Sequence, residues 1–237
     1  MNNRFMRLGK IEKMKNTPEL IIFDVNETLL DLAPLKQRID ESLNSSLAFD
    51  LWFSTLLKYS LVESITGEYR DFGAIGKATL KMTAQKFAVD LSEEKIGEIL
   101  GLITKLKPYP EVPGALKDLK EAGFKLVALT NGGQSTVEEQ LKYAGLTSFF
   151  DAVYSVESVK KFKPHPATYK YVLEKQDILS QNTMLIASHA WDIVGAQRAG
   201  LQTGFISRSG KFLYPEGDEP TLSAKSLQGL TKALLNR

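Results

Sequence analysis

The chain is predicted to be an α/β protein, a doubly wound parallel sheet with an inserted helical cap. Three observations predict this. Leu20 to Phe23 is a short apolar run of the kind that forms a strand buried on both faces, and it ends in a carboxylate, Asp24. From Pro34 to about Leu106 the pattern is helical, without a strand run. From Val112 onward, short apolar runs alternate with helical segments, and repeated strand–helix units imply a parallel sheet covered on both faces.

In chain order, residues 1–17 form a basic segment, with Arg4, Arg7, Lys10, Lys13 and Lys15 against Glu12. It lacks the long apolar stretch and cleavage site of a secretory signal and is expected to be a disordered tail. Residues 18–32 and 110–237 are assigned to the core, and 33–109 to the cap. Within the cap, Phe53, Leu57 and Leu61 recur at i, i+4 and i+8, one apolar face of a helix. Tyr69 to Val89 and Ser92 to Leu106 continue the helical pattern. Ser92 suits an N-cap, and Glu93-Glu94 complement the dipole of the first turn. Pro108-Tyr109-Pro110 ends the block, because proline cannot continue a helix and restricts the residue before it. The core then reads as helix Pro113–Ala122, strand Phe124–Leu129, helix Ser135–Ala144, strand Ala152–Val156 and helix Ala167–Glu174. Strand Met184–Ala187, a helix to Ala199 stopped by Gly200, and Gln202–Ile206 as the last strand complete it.

Composition excludes several classes of function. The 237 residues are 43% hydrophobic and 24% charged, ordinary for a globular chain. A net charge of +2 provides no global drive towards nucleic acid or an anionic membrane. There is no cysteine, which removes disulfides, thiolate catalysis and cysteine-ligated metal. No apolar run approaches the roughly 20 residues that span a bilayer. The expected location is the cytoplasm.

Polar residues with chemical potential concentrate at strand ends. Asp24, Thr130-Asn131 and Ser188-His189 each follow a predicted strand directly, and Lys163 follows the short strand at Ala152–Val156. In a parallel sheet these ends share one edge, so the residues converge on one crevice.

The combination FDVNETLLDL around Asp24, LTNG ending at Gly132, KFKPHPATY around Lys163 and SHAWD ending at Asp192 resembles the haloacid dehalogenase superfamily, and more narrowly its 2-haloacid dehalogenases. The resemblance covers the chain after Pro18. It implies a Rossmann-like core, Asp24 as a carboxylate nucleophile, a small 2-halogenated acid as substrate, no cofactor, and a homodimer. Position by position, it implies that Thr28 bonds the nucleophile and that Lys163 holds charge beside it. Asp192 would orient Lys163, Tyr169 would line the site, and Thr130-Asn131 would help seat the substrate carboxylate. Val25 and Asn26, next to the nucleophile, are assigned to substrate contacts.

Chemistry separates this reading from the magnesium-dependent phosphatases of the same superfamily. Those resemble D-x-D at the first motif, where the second acid protonates the leaving alkoxide. Here that position is Asn26, which cannot transfer the proton, whereas a halide leaves without one. No metal site is expected. A small-molecule phosphatase, or a catalytically silent binding relative, are the alternatives. The chain also departs from the dehalogenases themselves. Phe53 stands where they commonly carry arginine, so Phe53, Leu57, Phe72 and Trp191 are expected to form an apolar, aromatic wall for the halide. His189 and Glu27 replace asparagine and glycine or a small residue, and together supply a general base with an orienting carboxylate.

Overall fold

Burial of both faces of the first strand dictates the architecture. In the computed structural model, which describes residues 17–236, β1 (Leu20–Phe23) is fully buried and lies inside a sheet. The other strands are β2 (Lys125–Thr130), β3 (Ala152–Ser155), β4 (Thr183–Ala187), β5 (Gln202–Ile206) and β6 (Leu222–Ala224). All pair in parallel, in the order β3-β2-β1-β4-β5-β6. The chain winds outward from β1 to β2 and β3, then returns to place β4 on the other side. The strand order therefore reverses between β1 and β4, where open α/β sheets form their ligand crevice. Of the tail assigned to residues 1–17, all but Thr17 lies outside the described residues.

Between β1 and Val112 come four α-helices: α1 (Ala33–Ser42), α2 (Ala48–Thr66), α3 (Phe72–Lys86) and α4 (Glu93–Leu100). The chain leaves and re-enters the core side by side. Asp31 donates its N–H to the Lys107 carbonyl at 2.9 Å, and Tyr109 donates to the Leu29 carbonyl at 3.0 Å. α2 stops at Gly67, whose φ of +82° suits glycine, and α3 starts only at Phe72, where the Asp71 carboxylate accepts the Ala74 N–H. Tyr69 therefore precedes α3. Ser92 caps α4 by accepting the Lys95 N–H.

The buried face of α2 differs from the expected one. Phe49, Trp52, Leu56, Ser60 and Ser64 pack inward, while Phe53 and Leu57 are half-buried and Leu61 is 40% exposed. The helix is apolar on most of its circumference, so periodicity alone cannot select the packed stripe. Trp52 fixes the rotation, because its indole N–H donates to the Gly76 carbonyl of α3 at 2.9 Å.

The core helices are α5 (Val112–Glu121), α6 (Gln134–Tyr143), α7 (Pro166–Gln176), α8 (Ala190–Arg198) and α9 (Leu227–Leu235). Gln202–Ile206 is not the last strand, because β6 follows it at the sheet edge. Three residues, none of them buried, are too few to show an alternating pattern, which is why the sequence does not reveal β6. α9 then buries Leu227, Leu230 and Leu234. A Cβ on Gly204 of β5 would lie 2.9 Å from Leu230, so only glycine lets α9 approach so closely. Among the described residues, no helix is long and apolar enough to cross a membrane.

Candidate active site

Asp24 sits where β1 ends, with its backbone N–H tied to the Ile186 carbonyl of β4 at 3.1 Å. The chain then turns tightly, and the Val25 carbonyl accepts the N–H groups of Leu29 and Leu30. This turn returns Thr28 to Asp24, where its hydroxyl donates to Oδ2 at 2.7 Å and accepts the Ser188 N–H at 2.9 Å. Glu27, between them, holds a φ of +59°. A non-glycine residue in that region carries strain of about 1–2 kcal/mol, which must be offset by what the side chain does.

Three further segments bring their charges to Asp24. Lys163 is 2% exposed, and its Nζ donates to Asp24 Oδ1 at 2.9 Å and to Asp192 Oδ2 at 2.7 Å. Its backbone is held by Asn131, whose Oδ1 accepts the Lys163 N–H at 2.8 Å and whose Nδ2 donates to the Lys163 carbonyl. Thr130 accepts the Gly132 N–H through its own hydroxyl, so both side chains at the end of β2 shape the loops around the site. His189 ends the β4 segment as N-cap of α8, with Asp192 in the first helical turn. Its Nδ1 lies 3.1 Å from Asp24 Oδ2 and its Nε2 2.9 Å from Glu27 Oε2. Lys211, from the loop after β5, donates to the same Glu27 oxygen at 2.7 Å. Two aromatic rings enclose the imidazole: Phe53 at 5.9 Å between centroids and Trp191 at 5.1 Å, both close to parallel with it.

The result is a chain of alternating charge: Asp192, Lys163, Asp24, His189, Glu27, Lys211. Burial disfavours the Asp24 anion, yet Lys163 and His189 hold its carboxyl well below the usual range. Glu27 is lowered against its burial by His189 and Lys211. Burial also disfavours the imidazolium, but hydrogen bonds to Asp24 and Glu27, with their charges, push the His189 pKa up to about 9. Lys163 is raised despite burial by Asp192 and Asp24. Asp192 is pushed up by burial and by the nearby Asp24, against the pull of Lys163. The free protein therefore holds Asp24 ionised and His189 charged at neutral pH.

A small cavity of about 20 Å³ faces this chain and is lined by Asp24, Asn26, Phe53, Leu57, Phe72, Thr130, Asn131, Lys163, His189 and Trp191. Two residues assigned to substrate contacts do not line it. Val25 is fully buried among core side chains, since the turn points it away from the crevice. Tyr169 is fully buried behind Asp192, to which its hydroxyl donates at 2.6 Å, and so bears on the site only through that carboxylate. His165 caps α7 instead, its Nδ1 accepting the Ala167 N–H. Two participants went unnoticed in the sequence. Lys211 is one; the other is Arg208, whose guanidinium donates to the Thr28 carbonyl at 2.7 and 3.1 Å, pairs with Glu111 and stacks on Tyr109. Both follow β5, on the sheet edge that carries the other site residues, and that position was the available signal.

Known proteins resemble this chain in sequence and in fold. The family model described as haloacid dehalogenase-like hydrolase matches residues 18–200. The chain belongs to that family. It is 28% identical over 214 residues to the (S)-2-haloacid dehalogenase of Pseudomonas sp. (strain YL), covering 90% of this chain and 92% of that protein. It is 30% identical over 192 residues to (S)-2-haloacid dehalogenase 1 of Pseudomonas sp. (strain CBS-3), covering 80% and 85%. The L-2-haloacid dehalogenase of Xanthobacter autotrophicus shares the fold with a TM-score of 0.85 at 23% identity, covering 92% of this chain and 98% of that one.

Magnesium, which the phosphatases of the superfamily use, does not fit these haloacid dehalogenase-like residues. Both Asp24 oxygens already accept from Lys163, Thr28 and His189, and Asn26 Oδ1 accepts from Gln140 at 2.9 Å. Both Asp192 oxygens accept from Lys163 and Tyr169. Among the described residues, no three His, Asp or Glu side chains are grouped to hold a metal ion.

The raised His189 pKa predicts how stability depends on pH. A proton bound more tightly in the folded state stabilises the fold fully below the unfolded value of 6.5, and that gain is lost as pH rises to about 9. Roughly 3 kcal/mol is at stake in that window. The melting temperature of the wild type should fall more steeply from pH 6.5 to 9 than that of His189→Gln. Parallel curves would contradict the charged resting state.

Proposed function

We propose that the protein is a hydrolytic dehalogenase that converts short (S)-2-haloalkanoic acids to 2-hydroxy acids through an ester on Asp24. One observation carries the reading: a buried carboxylate is kept ionised by organic cations, with no acid two residues on and a His–Glu pair against it. The similarity to the (S)-2-haloacid dehalogenases of the two Pseudomonas strains supports it. Phosphate-ester hydrolysis would need a proton donor where Asn26 stands. Residues 33–109 act in this reading as a cap over the crevice, and family resemblance extends it to a cytoplasmic homodimer.

In the first step a carboxylate oxygen of Asp24 attacks the α-carbon, and the halide departs with the bonding pair. Lys163 and His189 supply positive charge at the cavity wall, where Phe53 takes the place of the usual arginine. Phe53, Leu57, Phe72 and Trp191 complete a wall whose ring edges carry partial positive charge. Thr28 and Lys163 hold the nucleophile in line, while Asn131 and Thr130 shape the loop that receives the substrate carboxylate. Splitting the displacement into two steps makes each easier than direct attack by water.

The second step follows from the loss of charge. Once Asp24 is an ester, one of the two anions holding the proton on His189 is neutral, and the imidazolium becomes a stronger acid. His189 then gives up its Nδ1 proton and that nitrogen accepts one from water, which attacks the ester carbonyl carbon. Glu27 keeps hold of Nε2–H and stabilises the imidazolium that forms again. Collapse of the tetrahedral intermediate expels the product alkoxide, which takes the proton from His189 and leaves Asp24 as a carboxylic acid. That acid passes its proton to Nδ1 of His189, which restores the ionised Asp24 and the charged imidazole. The net products are the 2-hydroxy acid, halide and the one proton that His189 first released to solvent.

In a single turnover with excess enzyme in heavy-oxygen water, the label should enter Asp24 and not the hydroxy acid. Label found directly in the product would exclude the ester. The strain at Glu27 yields a second expectation. Glu27→Gly relieves that strain but removes the carboxylate between His189 and Lys211, so ester hydrolysis should slow about a hundred- to ten-thousandfold while mass spectrometry shows the acid accumulating on Asp24. His189→Ala should trap the same ester; normal turnover by either variant would contradict the roles assigned here.

A further inference from the structure

The reaction cavity, at about 20 Å³, has room for little more than one water-sized group. Beside it lies a second cavity of about 150 Å³, which shares Asn26, Phe53 and Phe72 as a common wall. Its other boundaries include Leu35 of α1, Trp52 and Leu56 of α2, Gly76 of α3, and Leu100 and Ile103 where the inserted helices end. No charged side chain lines it. Of its polar groups, Gln140 donates to Asn26 Oδ1 and to the Ile103 carbonyl, both at 2.9 Å, and the Trp52 indole donates to the Gly76 carbonyl, which leaves the Thr136 hydroxyl as the other polar side chain in the wall.

We propose that this cavity is the subsite for the alkyl side chain of the substrate, admitting 2-haloalkanoic acids with apolar tails of about four to six carbons. The assignment rests on the dehalogenase reading and extends it beyond the two- and three-carbon acids. Neither of the other two substituents at the α-carbon suits this space. A carboxylate or halide would be desolvated there with no cation in the wall, whereas Lys163 and His189 line the reaction cavity. An apolar space of this volume, walled by aliphatic and aromatic side chains, accepts a benzene-sized guest. The space is also kept open at a position that could have filled it. A Cβ on Gly76 would meet only Trp52 at 3.8 Å and Leu56 at 3.9 Å, so alanine fits, yet this helical position holds glycine, the poorer helix former. A tail entering from the α-carbon must pass between Phe53 and Phe72, which are half-buried side chains on the inserted helices.

The test is bromide release from (S)-2-bromo acids of three to eight carbons, by the wild-type protein and by Leu56→Phe and Gly76→Ala. In the wild type, kcat/KM should rise roughly fourfold per added methylene and level off between six and eight carbons. Leu56→Phe should lower the ratio of kcat/KM for 2-bromohexanoate to that for 2-bromopropionate by about tenfold. Gly76→Ala, which suits its helix, should lower the same ratio about threefold. A flat chain-length profile, or variants that slow every acid by the same factor as a blocked entry route would, overturns the subsite while leaving dehalogenation intact. No bromide from any acid overturns the dehalogenase reading itself, and the subsite with it.

Discussion

Two buried carboxylates and a third that is half-buried cannot share one crevice unless each has a cation, because an unpaired buried charge costs several kcal/mol or more. The site meets this constraint by alternation: Asp192, Lys163, Asp24, His189, Glu27 and Lys211 stand in sequence, with neighbours 2.7 to 3.1 Å apart. The members come from four segments on the same sheet edge, after β1, β3, β4 and β5. Removing any one leaves a neighbour unsatisfied. That dependence explains why the turn after β1 tolerates a left-handed Glu27, and why Arg208 braces the Thr28 carbonyl from behind.

Alternation also links the two chemical steps. A carboxylate with three donors around it is weakly basic, yet its pairing with Lys163 and Thr28 fixes its direction, and direction governs an in-line displacement. Alkylation deletes one negative charge from the middle of the series, and the group best able to respond is the imidazolium beside it. In this account the base that hydrolyses the ester is made available by the ester's own formation. Phe53 and Trp191 enclose that ring and hold it between the two carboxylates.

Much of this was legible in the sequence. Asp24, Lys163, His189 and Asp192 each follow a strand or open a helix at one edge, and topology alone brings such positions together. What remained hidden depends on tertiary packing. α2 is apolar nearly all round, so the choice of Trp52 over Leu61 as an inward residue comes from the bond to Gly76. Tyr169 has the position of a lining residue, but the fold sets it behind Asp192. Lys211 lies in a loop without periodicity, and only the direction of the chain after β5 aims it at Glu27. β6 has three residues and α9 packs across Gly204, a contact between segments that no local pattern records.

The central claim is that the charge on Asp24 holds the proton on His189. With only two histidines in the chain, His189 and His165, imidazole titrations are readily assigned by nuclear magnetic resonance. The measurement is the His189 pKa in the wild type and in Asp24→Asn, whose neutral carboxamide stands in for the ester. The account predicts a value of about 9 in the wild type and a clear fall in the variant. An unchanged His189 pKa would contradict it.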